Sequence, residues 1–197
     1  MKIFKSIFVA GTILLGGAFA SSAQTPGQLI FQTFDAGDLS SHLILGTDGM
    51  TEAQGPNVVA RVYTGATADF SAMTAQGPEA VAVLTGSGAG FIQATGQANG
   101  GLIDVSGTLP GDMVFYSIAA WDTTTGATFD SATVRGNSTP VGIALGGTPA
   151  SGPAVTALNV NTFDTFQLQD VGMIPEPSTV ALGIIGGLAL LMRRRRS

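Results

Sequence analysis

Residues Met113 to Trp121 constrain this fold more than any other stretch. Leu109-Pro110-Gly111-Asp112 precedes them and signals a turn, because proline fixes φ and glycine tolerates the conformations that L side chains avoid. Read with period two, Val114, Tyr116, Ile118 and Ala120 share one face, and Phe115, Ser117, Ala119 and Trp121 share the other. Both faces are largely apolar, so this strand is expected at the centre of a sheet and covered on both sides.

The same periodicity recurs in shorter runs. Val58 to Tyr63 alternates, with Val58, Ala60 and Val62 opposite Val59, Arg61 and Tyr63. Leu29–Phe34, Leu43–Leu45, Ala80–Leu84, Gly90–Ala94, Gly101–Val105, Ala127–Val134, Val141–Leu145 and Asn161–Leu168 are the other predicted strands. Helical periodicity is missing, apart from one turn near Phe70 to Ala75. Nine or ten short strands separated by Gly- and Pro-containing turns predict an all-β body, a single β-sandwich of jelly-roll or Ig-like type. A closed barrel or a β-helix is the alternative. The sequence shows no fixed-period repeat, which weighs against the β-helix.

Two apolar segments flank this body. Lys2 and Lys5 precede an apolar run from Ile7 to Phe19, with small residues at Ser21 and Ala23. This is the pattern of a secretory signal helix over residues 1–23, cleaved between Ala23 and Gln24, with Ala18 and Ala20 marking an alternative site before Ser21. At the other end, Pro175-Glu176-Pro177 forms a stiff hinge that neither a helix interior nor a central strand accommodates. Val180 to Met192 follows, all apolar or glycine, and then Arg193, Arg194, Arg195 and Arg196. A transmembrane helix over about residues 178–192 is shorter than the ~20 residues a bilayer normally asks for. Local thinning and snorkelling arginines relieve that mismatch. Four arginines oppose translocation, at roughly 2.5–3.5 kcal/mol each at the bilayer centre, so they are expected to stay cytoplasmic and leave the body outside. A buried core helix is the alternative for so short an apolar run.

The three tail elements together resemble the PEP-CTERM sorting signal of exported bacterial proteins, a tail also labelled as an ice-binding protein C-terminal domain. The resemblance covers residues 174–197, with Ile174 before the motif. It implies an exosortase, a membrane-embedded cysteine transpeptidase, as partner. It further implies cutting near Pro175, Glu176 and Pro177, and delivery of residues 24–173 to the cell surface or extracellular matrix. The body in turn is similar to those of other exported proteins with this tail, at Ala60-Arg61-Val62-Tyr63-Thr64-Gly65, Gly88-Ala89-Gly90-Phe91, and Ala119-Ala120-Trp121-Asp122 with Gly126-Ala127-Thr128-Phe129. That likeness implies no activity.

Charge narrows the partners. Residues 24–173 carry twelve carboxylates against Arg61 and Arg135 alone, a formal −10. Such a body repels nucleic acid. No cysteine is present, which removes disulfides, thiolate metal sites and cysteine nucleophiles.

Catalytic signals are weak. His42 is the single histidine, and Ser87 lacks the Gly-x-Ser-x-Gly frame because Thr85 and Ala89 stand two residues away. Gly86 to Gly90 lacks the lysine of a phosphate loop. Asp35, Asp38 and Asp48 form one calcium candidate, and Asp122 with Asp130 another, though neither has EF-hand spacing and solvated loop acids are the plainer reading. Paired carboxylates of a glycosidase find no spacing cue among the acids. Tyr63 and Trp121 are candidates for a sugar platform, with Trp121 better read as core. Asn137-Ser138-Thr139 fits a glycosylation sequon, discounted in a bacterial chain, and the threonines form no ice-binding ladder. The expectation is therefore a non-enzymatic exported envelope or matrix protein without catalytic, cofactor or metal residues. The alternative is a carbohydrate- or calcium-dependent adhesion module on the same anchor, with extracellular polysaccharide as partner. A secreted hydrolase is the enzymatic rival.

Overall fold

The structure, a computed structural model, describes residues 24–34, 41–77, 80–93 and 97–173. The signal segment 1–23 and the sorting segment 174–197, with Pro175, Glu176, Pro177 and the four arginines, lie outside the described residues, as do Asp35 and Asp38.

The body is all-β. Its strands are β1 (Gly27–Ile30), β2 (Ile44–Leu45), β3 (Val58–Gly65), β4 (Thr74–Ala75), β5 (Val81–Ala82), β6 (Leu102–Val105), β7 (Met113–Asp122), β8 (Val134–Asn137), β9 (Val141–Ala144), β10 (Phe166–Gln167) and β11 (Gln169–Asp170). Among the described residues helical structure is confined to 3-10 turns of three or four residues, and no helix is long and apolar enough to cross a membrane.

Seven strands form one sheet built on two long ribs. β3 and β7 pair antiparallel from Val58↔Asp122 to Gly65↔Phe115. The far edge of β7 is shared: Met113–Tyr116 pair with β9, and Ala119–Trp121 with β8. The far edge of β3 is shared likewise by β4 and β5. Between β8 and β9 the ladder is interrupted, and the buried Ser138 repairs it, its Oγ accepting the Ile118 N–H at 3.0 Å. β7 is thus central, as its two apolar faces require.

Two small sheets complete the body, β1 with β6 antiparallel and β2 with β10 parallel. Their side chains Leu29, Ile44, Ile103 and Val105 meet Ala60, Val62, Val114, Tyr116, Ile118 and Ala120 in the main core. Irregular segments contribute Phe31, Ile92, Val160 and Phe163, all essentially inaccessible. Each such burial stabilises by about 1.5–3 kcal/mol, enough to offset the ~1–2 kcal/mol of backbone ordering at its own position. On the opposite face of the ribs a second cluster, Ala119, Trp121, Phe129 and Ala132, is flanked by Val59, Tyr63 and Phe70. The predicted division of β3 and β7 into two faces is the one observed.

Several predicted strands are corrected: of Leu29–Phe34 only Leu29–Ile30 is strand, of Ala80–Leu84 only Val81–Ala82, and three others depart further. Gly90–Gln93 is irregular, because Gly90 adopts φ +80° in a turn; Ala94 lies outside the described residues. At residues 127–133 the chain turns instead of extending. Thr128 and Ser131 trade hydrogen bonds there, the Thr128 N–H reaching Ser131 Oγ at 3.0 Å and the Ala132 N–H reaching the Thr128 carbonyl at 2.9 Å. Local hydroxyl bonding outcompetes the ladder. Of Asn161–Leu168 only Phe166–Gln167 is strand. The helical turn expected near Phe70 is a 3-10 turn over Phe70–Ala72, capped by Asp69, whose carboxylate accepts the Ser71 N–H at 3.0 Å.

One short segment links two of the sheets. β10 pairs with β2 and β11 pairs with β8, with only the buried Leu168 between them. The crossing is close: a Cβ at Gly136 would overlap the Gln167 carbonyl oxygen.

Candidate functional site

The residues singled out from sequence are scattered and mostly structural. His42 is half-buried with φ 61°, in the left-handed region, and its Nδ1 donates to the Phe163 carbonyl. Its ring lies 5.7 Å from that of Phe163. The histidine ties the segment before β2 to the one before β10. Ser87 sits in the 3-10 turn Gly86–Gly88, with no helix after it to serve as an elbow or phosphate cradle.

The acids serve turns. The Asp48 carboxylate accepts the N–H groups of Met50 at 3.0 Å and Thr51 at 2.9 Å, and the Thr51 hydroxyl at 2.5 Å. These bonds, the hydroxyl first, lower its pKa from the ordinary 3.8 to about 2. Asp122 caps its own turn in the same way, accepting the N–H and hydroxyl of Thr124 at 2.8 and 2.7 Å. Among the described residues no three His, Cys, Asp or Glu side chains converge on a point where a metal would bind.

Trp121 is core, 5% exposed, as expected. Its indole N–H has no hydrogen-bond acceptor among the described residues, and the Phe129 ring stands edge-to-face beside it at 6.3 Å. Tyr63 is half-buried in the same cluster, 5.2 Å from Phe70 and 6.1 Å from Phe129. Burial raises its hydroxyl pKa, and the negative charge of Asp130 adds to the rise.

The two arginines pin the loops that cover this face. Arg61 donates from Nε to the Gln76 carbonyl at 3.0 Å and from Nη2 to the Gly77 carbonyl. Arg135 donates to the Phe129 carbonyl at 2.7 Å, lies 5.2 Å from the centre of the Phe129 ring, and meets Asp130 at 3.9 Å. That ion pair is exposed on the Asp130 side and contributes little.

Beside Arg135 runs an open groove of about 590 Å³. Phe70 and Phe129 supply its apolar wall, and Asp130, Asn137, Gln167 and Gln169 its polar lining. β8 and β11 place these groups together: Gln169 is the register partner of Arg135, and Asn137 lies two residues along the same face. Asn137, Gln167 and Gln169 were not legible as a site from sequence. The only local cue is the alternation of polar Gln167 and Gln169 about apolar Leu168, which reports a half-exposed strand and nothing about its neighbours.

Searches of this chain against family models, curated proteins and solved structures found no match.

Proposed function

We propose that this chain is a non-enzymatic exported protein of the bacterial envelope or extracellular matrix, delivered as a membrane-tethered precursor and sorted by an exosortase. One observation carries the reading: Pro175-Glu176-Pro177, the apolar run to Met192 and Arg193 to Arg196 follow a strongly acidic body that itself follows a lysine-started apolar leader. In this reading the leader is cut between Ala23 and Gln24, and the body spans residues 24–173. Hydrogen bonding near both ends supports those bounds. Gln24 is exposed while the Thr25 N–H already reaches the Thr148 carbonyl at 3.0 Å, and the Val171 N–H reaches the Thr133 carbonyl at 2.7 Å.

We read the body further as a two-layer sandwich of the jelly-roll or Ig-like kind. Interleaving of Leu29, Ile44 and Val105 with the inner face of β3 and β7 supports this, as does the passage of the chain from one sheet to another at Leu168.

The test is to replace Pro175, Glu176 and Pro177 with alanine in a host that carries an exosortase, and to follow maturation. The shortened surface form is expected to vanish and a membrane-bound precursor to accumulate. Unchanged maturation and delivery would remove the sorting function.

A second reading, a carbohydrate adhesion module on the same anchor, is favoured by the groove beside Arg135, where two aromatic rings meet several polar side chains.

A further inference from the structure

We infer that the groove between Phe70 and Gln169 binds a neutral, hydroxyl-rich polysaccharide. This rests on the adhesion reading and specifies its site and ligand class. The polar lining comes first. Gln167 and Gln169 line the groove and are exposed, and their side-chain amides have no hydrogen-bond partners among the described residues, the Gln167 amide oxygen lying over Gly49. Each amide offers donors and an acceptor on one rigid plane, a match for adjacent sugar hydroxyls that both give and take hydrogen bonds. Asn137 adds a third amide, whose nitrogen donates to the Ser138 carbonyl at 3.1 Å, leaving its oxygen to accept.

The apolar wall is preorganised. Phe70 is half-exposed, and Tyr63 and Phe129 hold its ring at 5.2 and 5.4 Å. A ring fixed in advance loses little entropy on binding, and its face accepts the C–H surface of a pyranose. The groove's volume of about 590 Å³ lies within the ~300–1,000 Å³ usual for small-ligand sites.

Charge decides between neutral and acidic chains. Residues 24–173 carry a formal −10, and both of their arginines are engaged by backbone carbonyls. The groove holds its own carboxylate, Asp130. A polyanion would meet net repulsion, because Arg135, the cation in the groove lining, is already bonded to the Phe129 carbonyl and paired with Asp130. Nor does the groove cleave what it binds: glycoside hydrolysis uses a pair of carboxylates, and Asp130 is the one acid among the described lining residues.

The full-length chain in mild detergent is run by native electrophoresis through gels containing laminarin or galactomannan, both neutral, and through gels containing alginate, which is acidic. Retardation by a neutral gel and none by alginate is expected. The Gln167→Ala/Gln169→Ala variant should bind about tenfold more weakly, with its near-ultraviolet circular dichroism unchanged. The Asn99→Ala variant, away from the groove, should bind as the parent does. Retardation equal in the parent and the double variant would overturn the groove and leave the adhesion reading standing. Retardation by alginate as strong as by the neutral gels would overturn the ligand class. No retardation of the parent by either neutral polysaccharide would sink the groove and the adhesion reading together.

Discussion

The Tyr116 hydroxyl accepts the Thr162 backbone N–H at 3.0 Å and shares a second hydrogen bond with Thr162 Oγ1 at 2.9 Å. Tyr116 is fully buried at the centre of β7, and Thr162 belongs to an irregular segment 46 residues away. A central strand thus holds down a loop with no ladder of its own. Tyr116→Phe keeps the ring and strands the Thr162 N–H, so a loss of about 1–3 kcal/mol is expected in urea unfolding. A value near zero would show that Thr162 finds another acceptor.

The chain has only two tyrosines, so an alkaline absorbance titration reads Tyr63 and Tyr116 alone. Burial raises both hydroxyls above the ordinary 10. A folded-state pKa above the unfolded one gives stability that is complete below pH 10 and lost as pH climbs through the folded value. Both phenols should therefore ionise late in the folded chain, and stability should fall above pH 10. Ionisation of either at pH 10 or below in the folded chain would contradict the burial described.

Gly136 has no room for a side chain, because the Gln167 carbonyl oxygen occupies the space a Cβ would fill. Gly136→Ala pushes β10 away from β8 where the chain passes from one sheet to another. Overpacking of this kind costs about 1–3 kcal/mol, measurable as a lowered thermal midpoint. Gly111→Ala is the contrast, since nothing lies within 4 Å of its would-be Cβ, although its φ of +92° still disfavours alanine. The larger loss at Gly136 is the expected order.

Trp121 is the single tryptophan, so fluorescence reports the outer cluster directly. It is buried against Phe129, which also anchors the loop that Arg135 pins. Phe129→Ala should shift the emission to longer wavelength and destabilise by about 3–5 kcal/mol. An unshifted spectrum would mean that another group shields the indole.

Asp48 provides an acid-side test. Its folded pKa is lowered to about 2 from 3.8, so its contribution is present in full above 3.8 and disappears as pH falls through 2. The Asp48→Ala variant should be less stable than the parent at neutral pH, and the gap should close towards pH 2. A gap independent of pH would mean that the turn gains nothing from the charge.

Sequence periodicity served best where side chains alternate across long paired strands. Ala60 and Val62 face the main core with Tyr116 and Ile118, and Tyr63 and Trp121 pack on the other face, as period two requires. It served worst over Ala127–Val134, where Thr128 and Phe129 look like strand residues but Thr128 and Ser131 close a turn on each other. Asp48 and Asp122 drew attention as calcium candidates because acids beside glycine and threonine suit a loop. That composition suits an Asx turn equally, and the bonds they make are to their own chain.

By itself the sequence determined the all-β class, the central place of Met113 to Trp121, the division of its two faces, and the net acidity of residues 24–173. These are properties of local backbone geometry and of summed charge, which need no knowledge of neighbours. Only the tertiary structure decided that His42 serves Phe163, that β10 passes over Gly136, and that Gln167 and Gln169 share a groove with Phe70. Those outcomes depend on segments from about thirty to about a hundred and twenty residues apart coming into contact. Such meetings are selected by the joint packing of the whole core, and no single stretch of the chain encodes them.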